Sequence, residues 1–259
     1  MNTHFDLKRF KLLFNKHTSE HFGAYSMAML ALFGMMLSIV LFFSLTQKSS
    51  FLNVNFQRDI FYLFLWISGS IFTSNVFADL GDKRKASSTL MLPGSHFEKF
   101  LINWIYSYLI FQIVYIAIFY VVIFIASSLG KFQGKGFEIY DLGLDVRATC
   151  WIFLFFMVIH AISFTGSIYF NKLHLVKTTL AFFGIFMLFV LINEPVMELI
   201  LGRDVGAPIP FFRVVLEEKD DIYRLDVRRI QRLLIMIVPV AIAAILWTAS
   251  YFRLGEKEI

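Results

Sequence analysis

The sequence predicts an all-α, polytopic membrane protein with six transmembrane helices, and its composition and the spacing of its charges carry this prediction. Hydrophobic residues make up 58% of the 259 residues and charged residues only 17%, whereas about a quarter of the residues in soluble domains are charged. One globular core could not hide 32 Phe and 10 Met, because single cores stop growing at roughly 250 to 300 residues. Lipid is therefore expected to contact much of the protein surface.

Six stretches without Asp, Glu, Lys or Arg approach the length of about 20 residues that a spanning helix needs. They cover residues 22–47, 60–78, 100–130, 148–171, 178–193 and 233–252. The fifth stretch reaches Glu194 and Pro195 and then continues into more apolar sequence near Leu201, so we expect a broken or re-entrant element after the fifth span. An outer segment then covers residues 194–231, and the transmembrane domain as a whole covers residues 23–252.

Residues 1–22 are expected to form a cytoplasmic amphipathic helix at the membrane interface, since apolar and basic residues are interspersed there at helical spacing. The apolar run that follows is too long for the core of a signal peptide and lacks a small-x-small cleavage site, so we interpret it as an uncleaved anchor. The positions that define the helix are Phe10, Leu13, Phe14 and His17 among Lys8, Arg9, Lys11 and Lys16.

Basic residues between the spans indicate the orientation, because Lys and Arg concentrate on the cytoplasmic side of a membrane. With the N-terminus inside, these residues divide twelve to twelve, and seven of the outer ones lie between Arg203 and Arg232. The flanks of the first span favour an inside N-terminus by four to two. We therefore expect both termini in the cytoplasm, with residues 253–259 as a cytoplasmic tail.

Cysteine content and net charge exclude several other classes of protein. The single cysteine, Cys150, rules out an intramolecular disulfide framework and any Cys-rich metal site. The net charge of +5 comes from basic residues placed between apolar runs, where they serve topology and contact with anionic headgroups. No basic and aromatic surface module is left over for binding nucleic acid.

The connection between the second and third spans has the clearest internal organisation. Its first part, Asp79 to Lys85, is charged, and residues 86–92 can form two helical turns that Pro93 and Gly94 terminate. Ser95 and Glu98 then form the pattern of a capping box at the start of the third span. The residues alone leave two interpretations open: a capped turn without a partner, or a docking element for a peripheral protein.

The sequence LMLPGSHFEKF, residues 90–100, resembles the LPxSxxEKF signature of permease subunits of bacterial type-2 ABC exporters. The C-terminal sequence YFRLGEKEI, the six spans, the basic N-terminal helix and the interrupted fifth span are similar to the same family. The chain departs from that pattern in its arginine-rich outer segment and in Gly94. The resemblance covers the layout of the whole chain, but its specific identity rests on these two short motifs.

The resemblance implies a permease that forms a homodimer or heterodimer and moves a lipid-like, peptide or amphipathic substrate across the bacterial cytoplasmic membrane. A separate ABC ATPase subunit would hold ATP and Mg²⁺, so this chain itself would be neither an enzyme nor a cofactor-binding protein. A P-loop pattern is indeed missing, because GKFQGKG at residues 130–136 is one residue short and lacks the hydroxyl residue. The positions expected to couple to the ATPase are Asp79, Asp82, Arg84, Lys85, Leu90 and Leu92.

Polar residues near the spans are candidates for gating or for lining a pathway. Glu194 and Glu198 follow the fifth span, where carboxylates near lipid are costly. His160 and Ser163 share one face of the fourth span, and Ser70 and Ser74 lie on a second polar stripe in the second span. Small polar residues of this kind also allow helices to pack closely, and the sequence does not separate the two roles.

Two other classes of function remain alternatives. His17, Glu20 and His21 match the HxxEH pattern of a metalloprotease family, which would indicate a metal-dependent intramembrane hydrolase. Such an enzyme could instead use His160 with Glu194. A scaffold subunit without transport activity is the second alternative. An ion-coupled secondary transporter is disfavoured, because spans one, two, three and six contain no acidic or basic residue.

Overall fold

The computed structural model describes residues 5–46, 53–77, 94–129, 138–144, 146–170, 173–202, 215–218, 221–224 and 229–257. These residues form long helices and one short β-hairpin. The helices are α1 (Leu7–Thr46), α2 (Val54–Asn75), α3 (His96–Leu129), α4 (Val146–Tyr169), α5 (His174–Leu201) and α6 (Arg229–Lys257).

Five of the helices, all except α2, are long and apolar enough to cross a membrane. The chain is therefore a helical multi-pass membrane protein, as its composition predicts. The remaining helix, α2, has 22 residues and rises about 33 Å, but it carries the charged pair Arg58 and Asp59 within its first two turns. The predicted second span, residues 60–78, corresponds to this helix, and the predicted sixth span corresponds to α6.

The first helix is longer than the sequence suggests. α1 is one helix of 40 residues with no break near Phe22, so the expected interfacial helix and the first span form a single element. Such a helix rises about 60 Å, whereas the hydrocarbon core of a bilayer is about 30 Å thick. About half of α1 therefore lies beyond the hydrocarbon core.

α3 begins with the predicted capping box, which is confirmed. The Ser95 hydroxyl accepts a hydrogen bond from the Glu98 amide at 3.2 Å, and the Glu98 carboxylate accepts one from the Ser95 amide at 3.0 Å. The α-helix His96–Trp104 then passes into a π-helical segment, Ile105–Ile110, before α-helix resumes over Phe111–Leu129. A π-helical turn inside an α-helix marks a local insertion and often lies at a functional site.

The predicted interruption of the fifth span at Pro195 is wrong. α5 continues through Pro195 as one helix of 28 residues and ends only at Gly202, which has a φ of 64° and donates its amide to the Glu198 carbonyl at 2.8 Å. Proline removes its own N–H from the helix ladder and crowds the carbonyl four residues earlier, and membrane helices tolerate this disturbance because local adjustments satisfy the freed backbone groups. Any re-entrant element would have to follow Leu201, where residues 203–214 lie outside the described residues.

The hairpin is an exception to the expected all-α fold. Strands β1 (Val215–Glu218) and β2 (Asp221–Arg224) pair antiparallel, with Val215 opposite Arg224. The strands flank a connection of two residues, which is the commonest hairpin length. The predicted outer segment therefore contains a strand pair rather than only helix or loop.

The bundle core forms where α1, α2, α3 and α4 meet, around Phe61, Tyr115, Phe119 and Phe156. Tyr115 donates its hydroxyl to the Phe61 carbonyl at 2.6 Å, which joins α3 to α2. α4 packs against α2 on one side and α6 on the other. α5 is the least covered helix, and Gly166 of α4 allows it to approach, because a Cβ at that position would collide with Thr178.

Candidate functional site

The most strongly connected polar group lies at the start of α3. The Glu98 carboxylate accepts the Arg9 Nε and Nη2 groups, each at 2.7 Å, and the Asp6 amide at 2.9 Å, in addition to the Ser95 amide. Its side chain is 0% exposed and that of Arg9 is 23% exposed. We call this set, Asp6, Arg9, Ser95 and Glu98, the Glu98 joint.

The Glu98 joint is held by both charge and geometry. A guanidinium that donates two parallel hydrogen bonds to a carboxylate forms one of the strongest and most directional polar contacts in proteins. The carboxylate also lies at the N-terminal end of a helix, where the helix dipole favours negative charge. The joint therefore fixes the beginning of α1 to the beginning of α3.

The predicted coupling residues precede this joint in the chain. Asp79, Asp82, Arg84, Lys85, Leu90 and Leu92 all belong to the segment 78–93, which lies outside the described residues. In the sequence, the Glu98 joint follows directly after the segment that is expected to couple to the ATPase.

A second contact between α1 and α3 is aromatic. The Tyr106 ring lies 5.0 Å from Phe14, 4.7 Å from His17 and 5.5 Å from Tyr25, measured between ring centroids. Its hydroxyl also forms a hydrogen bond with Thr18. α1 therefore follows α3 for several turns beyond the Glu98 joint.

The HxxEH pattern does not assemble a metal site in the described part of the chain. His17 and His21 lie side by side, with ring centroids 4.5 Å apart, but Glu20 forms an ion pair with Lys16 at 3.6 Å. His17 Nε2 lies 2.9 Å from the Tyr25 hydroxyl. Among the described residues, no three His, Cys, Asp or Glu side chains form a group that could hold a metal ion.

His160 lies in the packed interior of the bundle and is 0% exposed. Its Nδ1 accepts the Trp247 indole N–H at 3.3 Å, which leaves Nε2 to donate to the Ser107 hydroxyl at 2.9 Å. Ser107 in turn donates its own hydroxyl to the Asn103 carbonyl at 2.7 Å. Both ring nitrogens of a neutral imidazole are therefore satisfied, and His160 joins α4 to α3 and α6.

The π-helical segment supplies three consecutive residues to three different helices. Tyr106 contacts α1, Ser107 bonds His160 of α4, and Tyr108 packs against Trp247 of α6 with ring centroids 5.6 Å apart. This segment of α3 therefore connects α1 on one side with α4 and α6 on the other. Nothing in the sequence marks it, because its residues are ordinary helix and membrane residues.

The other predicted pathway residues occupy two separate regions. Ser74 and Ser163 are buried at 1% and 5% exposure, and α2 packs against α4 in this region. Ser70 is half-buried and donates its hydroxyl to the Trp66 carbonyl of its own helix at 2.8 Å. Glu194 and Glu198 are half-buried near the C-terminal end of α5, and the structure does not join them to His160.

The N-terminal end of α2 carries a polar contact that no sequence pattern predicts. Gln57 is 0% exposed; its amide donates to the Glu138 carbonyl and accepts from the Tyr140 amide, both at 2.9 Å. The contact fixes residues 138–144 beside a cavity of about 400 Å³ whose charged lining residues include Arg58, Glu138 and Asp141. No sequence signal marks this contact, because Gln57 lies beside Arg58 and Asp59, before the apolar stretch of residues 60–78.

Comparison with known proteins gives no match at any level. A scan against protein-family models finds none, and searches of curated proteins and of solved structures find none either.

Proposed function

We propose that this chain is the membrane-spanning permease subunit of an ATP-driven ABC exporter in the bacterial cytoplasmic membrane. The Glu98 joint carries the proposal. The acidic residue of the motif that resembles LPxSxxEKF is completely buried and bonded to Arg9, directly after the segment that the resemblance assigns to coupling. A force on residues 86–92 would therefore act on α1 and α3 together.

The partner in this proposal is a separate ABC ATPase that binds ATP and Mg²⁺. Its motion would act on the helix at residues 86–92, with Arg84, Lys85, Asp79 and Asp82 making the polar contacts and Leu90 and Leu92 the apolar ones. The linked pairs Tyr106–His17 and Ser107–His160 would then carry the displacement from α1 through α3 to α4.

The proposed topology has six spans with both termini in the cytoplasm. α2 would be the second of these spans and would bring their number to six, because its apolar side chains Phe61, Phe64 and Leu65 are buried among the helices that are apolar enough to cross the membrane. Its charged pair lies near one end, where a headgroup region would accommodate it. A re-entrant element would lie in the outer segment after Leu201.

The proposed dimer is supported by the exposure of α5. Leu180, Phe189 and Leu199 are 68%, 61% and 85% exposed in the isolated chain, so α5 offers an apolar surface to a second permease subunit as well as to lipid. A path between two protomers would pass the half-buried Glu194 and Glu198. The aromatic-rich helices that would line this path suit lipid-like, peptide or amphipathic substrates.

The test is purification of the full chain from native membranes in mild detergent, with a C-terminal tag. We expect an ATPase to co-purify in roughly equimolar amount and to hydrolyse ATP, and we expect R84E/K85E to abolish its recovery. K131E/K135E is the matched control, because it makes the same charge change on the predicted outer side. A chain that purifies without a nucleotide-hydrolysing partner would overturn the proposal.

A scaffold subunit without transport activity is the alternative that the packing also accommodates, because His160, Ser107 and Trp247 satisfy each other inside the bundle. The two functions differ in one outcome. A scaffold predicts that S74A and S163A leave the activity of the complex unchanged, whereas a permease predicts altered transport with assembly retained.

A further inference from the structure

The cavity beside Gln57 lies at the level of a membrane surface. One of its lining residues is Ala148, the first residue of Ala148–Tyr169, the part of α4 that is long and apolar enough to cross a membrane. The 22 residues of this stretch rise about 33 Å, which matches a hydrocarbon core of about 30 Å. Ala148 is therefore at the boundary between hydrocarbon and headgroups, and the cavity lies among the lipid headgroups whichever way the chain is oriented.

One wall of the cavity is fixed by hydrogen bonds from three helices. Besides the two bonds of Gln57 in α2, Tyr120 of α3 donates its hydroxyl to the Tyr140 carbonyl at 3.3 Å, and Thr149 of α4 donates its hydroxyl to the Leu142 carbonyl at 2.8 Å. Tyr140 lines the cavity and is only 4% exposed. The cavity is thus formed before any ligand binds, and its volume of about 400 Å³ is within the range of small-molecule sites.

The described residues that line the cavity carry both signs of charge. Arg58 lies on the α2 side, and Glu138 and Asp141 lie on the fixed wall. Within the described part of the chain, Arg58 pairs only with its exposed neighbour Asp59, at 3.3 Å, and neither lining carboxylate forms an ion pair. Exposed pairs such as Arg58–Asp59 contribute little. A ligand in the cavity therefore meets one guanidinium and two carboxylates, which suits a zwitterion.

The other lining residues indicate the kind of zwitterion. Ile139 and Leu144 are 47% and 84% exposed, so the rim of the cavity offers apolar side chains to lipid tails. Tyr140 is the one aromatic residue among the described lining residues, whereas quaternary ammonium groups such as choline are typically held by cages of several aromatic rings. A primary ammonium instead donates three hydrogen bonds, and carboxylates accept them.

We infer that this cavity binds the headgroup of phosphatidylethanolamine, a phosphate diester joined to a primary ammonium. The phosphate lies on Arg58, the ammonium lies between Glu138 and Asp141, and the acyl chains follow Leu144 into the bilayer. Soluble glycerophosphoethanolamine has the same headgroup chemistry but lacks the acyl chains that the apolar rim contacts. The inference needs only that α4 crosses the membrane, and it does not depend on the proposed transport function.

The test is native mass spectrometry of the full chain, purified in mild detergent and titrated with equal amounts of dioleoyl phosphatidylethanolamine and dioleoyl phosphatidylcholine. We expect the first bound lipid to be phosphatidylethanolamine with a preference of about tenfold, which corresponds to about 1.4 kcal/mol. The monomethyl and dimethyl derivatives should bind progressively more weakly, because each methyl group removes one hydrogen-bond donor from the ammonium.

Two variants separate the roles of the charges. E138Q/D141N should abolish the preference for phosphatidylethanolamine, and Asn at position 141 still offers an acceptor to the Gly143 amide that Asp141 binds at 2.7 Å. R58Q should weaken the binding of both lipids about equally and leave the preference intact, because both lipids contain the phosphate.

The matched control is E256Q/E258Q, which removes two negative charges at the C-terminal end of the sequence and should retain the preference. Equal binding of the two lipids by the parent, or an equal loss of preference in E138Q/D141N and the control, would overturn the inference. Complete displacement of the lipid by millimolar glycerophosphoethanolamine would also overturn it and would indicate a site for a soluble zwitterion.

Discussion

The Nε and Nη2 atoms of Arg9 each lie 2.7 Å from a different carboxylate oxygen of Glu98. The two residues are 89 positions apart in the chain, and Glu98 is inaccessible to solvent. Backbone amides of Asp6 and Ser95 complete the set of donors around the carboxylate. One buried acidic group therefore determines how the N-terminus of the chain sits on the third helix.

Replacing Arg9 should disconnect α1 from α3. In R9Q the Glu98 carboxylate keeps its two backbone donors but loses its counter-charge, and R9K retains the charge without the two-pronged geometry. We expect transport coupled to ATP hydrolysis to decrease in the order parent, R9K, R9Q, R9E. Coupling is measured as transport per ATP hydrolysed in proteoliposomes with the co-purified ATPase.

The charge-swapped variant R9E/E98R is the control for this experiment. It restores opposite charges across the same contact, so it should recover part of the coupling that R9E loses. If R9E and R9E/E98R were equally impaired, or if R9Q behaved like the parent, the Glu98 joint would have no role in coupling.

The capping box should contribute measurably to the stability of α3. In S95A the Glu98 amide loses its side-chain acceptor, and loss of an N-cap side chain costs about 1 kcal/mol. S95T keeps the hydroxyl and should be nearly neutral. Reversible unfolding in SDS gives the free energies of unfolding of the three proteins, and an S95A value equal to that of the parent would contradict the assignment.

Local contacts of this kind are the part of the structure that the sequence predicts well. Ser95 and Glu98 are three residues apart, so their pattern is visible in the sequence, and apolar length predicts the helices. Arg9 and Glu98 meet only through the packing of α1 on α3, and no sequence pattern connects them. Pro195 was misjudged because a helix can absorb one missing N–H.

Small residues are a second case in which the sequence does not predict a contact between helices. Gly34 and Ser38 have the spacing of a helix-packing motif, yet a Cβ at Gly34 would have nothing within 4 Å in this chain, whereas one at Gly166 would collide with Thr178. Which glycine faces a neighbouring helix depends on the rotation of the helix in the bundle. The sequence of a helix that is apolar all round does not specify that rotation.

Alanine substitutions at these two glycines should therefore differ. G166A forces α5 away from α4, and overpacking of this kind costs about 1–3 kcal/mol. G34A meets open space and gains helix propensity, so it should be neutral or slightly stabilising. SDS unfolding measures both, and a destabilised G34A would indicate that this surface is covered in the assembled protein.

His160 and Ser107 should be energetically coupled. Interhelical hydrogen bonds in a membrane protein have coupling energies of about 0.6 kcal/mol on average and up to about 1.7 kcal/mol, and we expect a double-mutant cycle of H160F and S107A to fall in this range. Within the described residues Ser128 bonds only the Phe124 carbonyl of its own helix, at 2.9 Å, so a cycle of H160F and S128A should give no coupling. Equal values in the two cycles would contradict the hydrogen bond assigned between His160 and Ser107.

Cys150 reports whether α2 crosses the membrane. It is the only cysteine, it is exposed, and it lies near the start of α4. With a cytoplasmic N-terminus and six spans, the chain crosses the membrane three times, in α1, α2 and α3, before it reaches residue 150. Residue 150 is then outside. If α2 remained on one side, residue 150 would be inside. We expect an impermeant maleimide to label Cys150 in right-side-out membrane vesicles.

The second site needed for this measurement is residue 19, in the variant C150S/S19C, because the position of the N-terminus must be known independently. Labelling of Cys150 alone supports six spans with the N-terminus inside, and labelling of residue 19 alone indicates six spans in the opposite orientation. Labelling of both sites indicates that α2 does not cross and the N-terminus is outside. If labelling at both sites required permeabilised vesicles, α2 would not cross and the N-terminus would be inside. In that case both ends of α2 would lie on the outer side of the membrane. Residues 78–93 would then be on the same side as the charged pair Arg58 and Asp59. The proposed coupling helix would therefore not face a cytoplasmic ATPase.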